Sequence, residues 1–228
     1  MCDCKKPTNK ESLIRSRNGP FIIAECGVNF RDLVDADQMI KAAAEAGADA
    51  CKFQAYLPFY ESGKYDGTIH QRGKELNAIR LDESTIRYLY WRCQQHGIEF
   101  MCTPMYLEAV AMLDPYVKRW KVRYADRENE SILGPCRATG KPMLVSGKNI
   151  FCISEYPPPV GFVGYDKPEY IGISHHVPKV NGISFDGFDF VEVHVRLDHY
   201  EPPHYCPIDT AVSITMSELA ELCRRLKQ

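Results

Sequence analysis

What most restricts the fold of this chain is a repeat: a short apolar run ending on a polar or ionisable residue, then a helix-length amphipathic stretch, then another such run. The runs occupy residues 21–27, 50–54, 99–102, 119–123, 142–146, 150–154, 170–176 and 190–195. Between them, Met39, Ile40, Ala43 and Ala44 share a helix face before Gly47, and Ile86, Leu89 and Cys93 share one in 82–96 before Gly97. Helices are also expected at 107–113 and at about 130–139, the latter stopping at Gly140. Thr215 and Glu218 have capping-box spacing ahead of Leu219, Leu222 and Leu226.

Strands alternating with helices imply a parallel sheet, and this many repeats point to an α/β fold of the TIM-type (β/α)8 barrel class. Such barrels carry their chemistry at the carboxyl ends of the strands. Glu25, Lys52, Gln54, Thr103, Lys121, Ser146, His176 and His194 all fall there. In the last run Glu192 and His194 alternate with Val191, Val193 and Val195, so period two puts carboxylate and imidazole on one face and the valines on the other. His176 and His194 are candidate ligands for a divalent metal, the alternative being satisfied core histidines.

The repeat breaks in the second half. Only Gly147, Lys148 and Asn149 separate two strand-like runs, whereas a parallel crossover needs about ten residues or more. An antiparallel hairpin, a merged strand and a gap in the barrel all satisfy that spacing. Residues 157–168 are rich in Pro and Gly and 178–187 carry no helical pattern, so a trimmed barrel with outer helices missing or shortened on one side is expected. Residues 57–80, long and charged, read as a lid or binding loop. Residues 1–19 read as a loosely attached arm and 20–228 as one barrel domain, which suits 228 residues of 45% hydrophobic content.

A formal net charge of -2 without long basic runs argues against nucleic acid and for small-molecule work. Of the ten cysteines, Cys26, Cys51, Cys102 and Cys152 sit in apolar runs and read as small hydrophobes. Cys2 and Cys4 lie in a polar start, where loose free thiols are expected; export, a disulfide framework and a membrane span are not. A soluble, cytoplasmic protein is the expectation.

From Phe21 to Leu226 the chain resembles the N-acetylneuraminate (sialic acid) synthases and their legionaminate, pseudaminate and spore-coat relatives. The resemblance rests on Ile22-Ile23-Ala24-Glu25-Cys26-Gly27-Val28-Asn29, Ala44-Glu45-Ala46-Gly47-Ala48-Asp49-Ala50-Cys51-Lys52-Phe53-Gln54 and Gly97-Ile98-Glu99-Phe100-Met101-Cys102-Thr103-Pro104. Thr139-Gly140-Lys141-Pro142, Ile171-Gly172-Ile173-Ser174-His175-His176 and Glu192-Val193-His194 follow in the same order. It implies a barrel enzyme that condenses phosphoenolpyruvate with an open-chain amino-sugar or other aldose aldehyde, releasing phosphate and forming a 2-keto sugar acid.

By the resemblance, His176 and His194 bind Mn²⁺, or Mg²⁺, Co²⁺ or another divalent ion, and Glu25 and Glu192 are carboxylates near metal and sugar. Lys52 and Lys121 contact phosphoenolpyruvate, with Gln54, Thr103, Ser146 and Ser174 in the same pocket. Asp209 and Tyr156 are implied sugar contacts. Phosphoenolpyruvate carries a phosphate and a carboxylate, and fixed cations with hydroxyl donors suit it.

The sequence also departs from the family. Asn29-Phe30 replaces Asn-His, Ser174-His175-His176 replaces Ser-Asp-His, and Ser154 replaces Asn. Tyr124-Ala125-Asp126 replaces Ser-Gly-Glu, with Arg123 in place of a small residue. Arg123 or Lys148 can substitute for the lost phosphate-binding hydroxyl, while Asp126 and Arg127 read as a solvated turn. His199 and His204 read as loop residues within reach of a third ligand position. The family's C-terminal antifreeze-like domain is not expected here, so a separate chain completing the acyl-recognition site is one expected partner. Apolar strand faces left by the trimmed helices lead to a homodimer as another. The alternatives are a non-catalytic barrel acting as an assembly partner in sugar-acid biosynthesis, and a metal-dependent aldolase or lyase on a keto acid.

Overall fold

A computed structural model of the chain describes residues 19–58, 64–65, 68–69, 73–152, 169–200 and 208–228. In order these form β1 (Phe21–Gly27), α1 (Leu33–Glu45), β2 (Ala50–Ala55), the short pair β3 (Lys64–Tyr65) and β4 (Thr68–Ile69), α2 (Gly73–Ala78) and α3 (Glu83–Gln95). Next come β5 (Glu99–Pro104), α4 (Leu107–Leu113), β6 (Trp120–Val122), α5 (Glu130–Ala138), β7 (Met143–Val145) and β8 (Ile150–Cys152). The chain ends with β9 (Gly172–His175), β10 (Phe190–Arg196), β11 (Ser213–Thr215) and α6 (Met216–Leu226).

The parallel order β5-β2-β1-β10-β9-β8 pairs the first strand of the chain with the last of the repeat, and β6 pairs β7. β7 meets β8 through a parallel bridge between Ser146 and Ile150. No ladder joins β5 to β6; Arg119, just before β6, instead holds Glu99 at the start of β5 through Nε at 2.8 Å and Nη2 at 3.1 Å. The result is a TIM-barrel-like ring with helices outside it.

Strand alternation divides the apolar residues into two cores. Outward residues such as Ile22, Ala24, Cys51, Phe53, Val191 and Val193 pack under Met39, Ile40, Ile86, Leu89 and Leu219 of the helices. Inward residues at the strand starts, Phe21, Ile23, Ala50, Met101, Leu144, Ile150 and Phe190, fill the barrel floor. The guanidinium of Arg119 lies 4.5 Å from the Phe21 ring centre, so the Arg119–Glu99 pair seals that floor.

The expected helices all form, and α6 carries the reciprocal Thr215–Glu218 capping box. The 57–80 stretch departs from its reading as an unstructured lid, because β3, β4 and α2 lie within it. The link across Gly147–Asn149 is neither an antiparallel hairpin nor a gap. The side chain of Asn149 accepts from Val145 N at 2.7 Å and donates to Met143 O at 2.8 Å, and Gly147 N bonds Ile150 O at 2.8 Å. These bonds satisfy the backbone of a reversal short enough for β8 to start parallel to β7 without a crossover.

No helix lies between β7 and β8 or between β9 and β10, as the trimmed barrel requires; residues 153–168 lie outside the described residues. Over β9 and β10 the irregular stretch carrying Val180, Ile183, Phe185 and Phe188 buries these four side chains against the sheet. That face is covered from within the chain. The 1–18 arm, Cys2, Cys4, Ser154, Tyr156 and His204 also lie outside the described residues. Among the described residues no helix is long and apolar enough to cross a membrane.

Candidate active site

Above the apolar floor, the next inward position on most strands is polar, and these side chains line one cavity of about 330 Å³. Glu25 comes from β1, Lys52 and Gln54 from β2, Thr103 from β5, and Lys121 from β6. Ser146 follows β7; Ser174 and His176 come from β9 and its end, and Glu192 and His194 from β10. Registers Glu25↔His194 and Glu25↔Lys52 set one level, with Glu192↔Ser174 one inward position below it and Gln54↔Thr103 one inward position above it.

Two buried lysines and two buried carboxylates alternate across the cavity. Lys121 Nζ donates to Glu192 Oε1 at 3.1 Å and to Ser146 Oγ at 2.9 Å. Lys52 Nζ lies 2.7 Å from Glu25 Oε2 and 3.7 Å from Glu192 Oε2, and donates to Thr103 Oγ1 at 3.1 Å. Gln54 Nε2 donates to Glu25 Oε1 at 2.7 Å, and Ser174 Oγ donates to Glu192 Oε1 at 2.6 Å. Burial alone would raise the Glu192 carboxyl, but Lys121 and Lys52 outweigh it and hold the group far below the usual carboxylate range. For Glu25 burial wins over Lys52, and its pKa is raised. The two environments push the carboxyls apart, leaving Glu192 the firmly ionised member.

Thr103 and Ser146 each accept from a lysine, which leaves their own protons to donate into the cavity. A hydroxyl that accepts from an ammonium is polarised toward donation, which suits an anionic ligand. Gly27 makes room for the Gln54–Glu25 pair. Its φ is 48°, and a Cβ there would come within 3.1 Å of both Gln54 Nε2 and Glu25 Oε1.

On the opposite wall the imidazoles of His176 and His194 lie with ring centres 5.0 Å apart. Asp209 Oδ2 is 3.5 Å from His194 Nδ1. Burial alone would lower the His194 pKa; Asp209, Glu25 and Glu192 outweigh it and raise it. Asn29, fully buried, fixes this wall: its Nδ2 donates to Val195 O and Ser213 Oγ, and its Oδ1 accepts from Asp209 N at 2.9 Å.

Two adjacent imidazoles, one backed by a carboxylate, form a donor set that fits a divalent ion with positions left open for substrate. Glu192 Oε2, a buried carboxylate oxygen without a hydrogen-bond partner among the described residues, adds an acceptor nearby. Among the described residues no group of three or more His, Cys, Asp or Glu side chains converges as a ready-made metal cluster.

The structure bears out some of the remaining expectations and corrects others. Lys148 does not reach the cavity; it is exposed and pairs with Glu128 at 3.1 Å, because the Gly147–Asn149 reversal turns it outward. Arg123 does line the cavity. Asp126 is buried and paired with Arg123, so it is no part of a solvated turn. Cys26, Cys51 and Cys102 are core residues, whereas half-buried Cys152 lines the cavity. His199 is exposed, its ring edge-on to that of Tyr200 with ring centres 4.5 Å apart. His175 is buried against Phe185, outside the cavity, and burial lowers its pKa to about 4. Met105, Tyr124, Ala125 and Asn29 went unassigned in the sequence, where nothing in their residue type marks them as site-forming.

Residues 39–149 match the NeuB family model. An uncharacterised protein of Methanocaldococcus jannaschii is 26% identical over 91% of this chain and 70% of its own length. The N,N'-diacetyllegionaminic acid synthase of Legionella pneumophila is 32% identical, over 55% of this chain and 39% of its own. The chain therefore matches well under half the length of that named synthase. In fold, the N-acetylneuraminic acid synthetase of Leptospira borgpetersenii superposes with TM-score 0.70 at 22% identity, over 92% of this chain and 84% of that one. Sequence matches and barrel together support a NeuB-type, sialic acid synthase-like family for this chain.

Proposed function

We propose that the chain condenses phosphoenolpyruvate with an amino-sugar or related aldose aldehyde. In this reaction the methylene carbon of phosphoenolpyruvate bonds to the aldehyde carbon, water supplies the keto oxygen, and phosphate leaves with a 2-keto sugar acid as product. The observation that carries the reading is the lysine-and-hydroxyl wall facing the imidazole pair across one cavity.

Lys52, Lys121, Thr103 and Ser146 bind the anionic co-substrate, with Arg123 at the rim. Glu192 pairs with both lysines and holds them in place, and Ser174 fixes its carboxylate. Glu25 and Gln54 face the sugar, and Asp209 orients His194. His176 and His194 would hold Mn²⁺ or a similar divalent ion, which when bound supplies Lewis-acid polarisation of the aldehyde oxygen. The same reading has the protein acting as a cytoplasmic homodimer, checked by elution on a sizing column.

The test is phosphate release from phosphoenolpyruvate with a panel of aldoses, with and without Mn²⁺. Metal-dependent release is expected for wild type and its loss in His176→Ala and His194→Ala. Thermal shift gives a second readout, since ligands that bind only the folded state raise its apparent stability. Release with no aldose, and no stabilisation by phosphoenolpyruvate, would sink the reading and favour a non-catalytic role.

A further inference from the structure

The β6–α5 turn carries a cation that the lysine wall does not account for. Arg123 lines the cavity rim with its side chain 32% exposed. Its Nε donates to Asp126 Oδ2, and among the described residues it has no other partner. A guanidinium bonded only through Nε keeps both terminal amino groups, with four N–H donors in a planar fork, for a ligand. Lysine offers no such fixed fork, and the fork matches two oxygens of a phosphate.

The turn is built to hold that fork still. Asp126, 7% exposed, closes a single 3-10 turn over Tyr124–Asp126, its N–H bonding Arg123 O at 3.1 Å. Its other carboxylate oxygen accepts from Asn129 Nδ2 at 3.3 Å, ahead of α5. Tyr124 is packed against Arg127 and Gly147. Arg127 Cζ lies 3.8 Å from its ring centre, and a Cβ on Gly147 would come within 2.7 Å of the ring.

We infer that Asp126 is a positioning residue for phosphate binding: it holds Arg123 by Nε so that the guanidinium grips the phosphate of the substrate at the cavity rim. The inference rests on the reading of the cavity as a phosphate-ester site. It differs in sign from a merely neutralising role, in which removing the carboxylate would release Arg123 and tighten anion binding. Here removing it loosens the fork and weakens binding.

Calorimetric titration of the full chain with inorganic phosphate, phosphoenolpyruvate and pyruvate separates the two. Asp126→Asn and Arg123→Lys are each expected to weaken phosphate about tenfold, and the double variant little more than either one, because the two residues act as a unit. Asp126→Glu is expected to restore most of the affinity. Pyruvate, which lacks the phosphate, is expected to bind all forms alike, and in turnover Asp126→Asn is expected to raise KM for phosphoenolpyruvate with kcat little changed.

Unchanged or tighter phosphate binding in a folded Asp126→Asn protein overturns the inference, as does a wild type that binds no phosphate. If phosphate binding follows the expected pattern but no aldose is condensed, the synthase reading falls and the role of Asp126 stands.

Discussion

Lys121 Nζ lies 3.1 Å from Glu192 Oε1, both side chains 4% exposed and drawn from strands on different sides of the barrel. A buried pair is worth little against an apolar replacement, yet breaking one side leaves an uncompensated charge. Glu192→Gln is therefore expected to cost about 3–5 kcal/mol in urea unfolding. Lys121→Met with Glu192→Leu together is expected to cost less than Glu192→Gln alone, because Lys52 keeps Glu25 at 2.7 Å. A double variant less stable than the single would show that this network has no such internal balance.

Thr103 and Ser146 test the polarised hydroxyls. Thr103→Val and Ser146→Ala each remove a hydrogen bond to a charged ligand, worth about 1.5–3 kcal/mol, so KM for phosphoenolpyruvate is expected to rise about tenfold or more. Melting temperatures are expected to move little, since each lysine keeps its carboxylate. Steady-state kinetics with unchanged KM would place the anion elsewhere.

Gly147 packs closely against Tyr124 of the β6–α5 turn. At φ 81°, and with the Tyr124 ring 2.7 Å from where a Cβ would stand, Gly147→Ala meets both backbone strain and a clash. A loss of about 2 kcal/mol is expected, with weaker phosphate binding as Tyr124 and its turn are displaced. Chemical denaturation and calorimetry read the two effects separately.

Asp82 caps α3, accepting from Thr85 N, Ser84 Oγ and Thr85 Oγ1, each at 2.8 Å. These bonds, the Thr85 backbone bond foremost, pull its pKa down to about 2 from 3.8. A carboxyl depressed on folding contributes stability that is present above about pH 4 and lost as pH falls toward 2. Asp82→Asn keeps an acceptor and is expected to flatten the acid limb of the stability curve, while Asp82→Ala costs about 1 kcal/mol at neutral pH. Acid titrations of the three forms, followed by circular dichroism, check both.

Much of the site was legible because strand alternation is a local property. Period two alone sets Glu192 and His194 against the valines of β10, and it places Glu25, Lys52 and Thr103 on the inward face above the floor residues. The helices were legible through their 3.6-residue spacing and caps, as at Thr215–Glu218. Lys148 and Arg123 were equal candidates in the sequence, since both are cations near a strand end. A reversal held by Asn149 turned one outward, and a carboxylate three residues on held the other at the rim.

The sequence by itself determined the strand–helix repeat, the inward face of each strand and the residues at the carboxyl ends, all set by periodicity and chain-neighbour chemistry. Only the tertiary structure decided which side chains pair: Lys121 with Glu192 over 71 residues, Asn29 with Asp209 over 180, and Arg119 with Glu99 where β5 and β6 lack a ladder. Those pairings depend on the order and register in which the strands close the ring. Register is a sum of contacts between distant segments, which no single stretch of sequence contains.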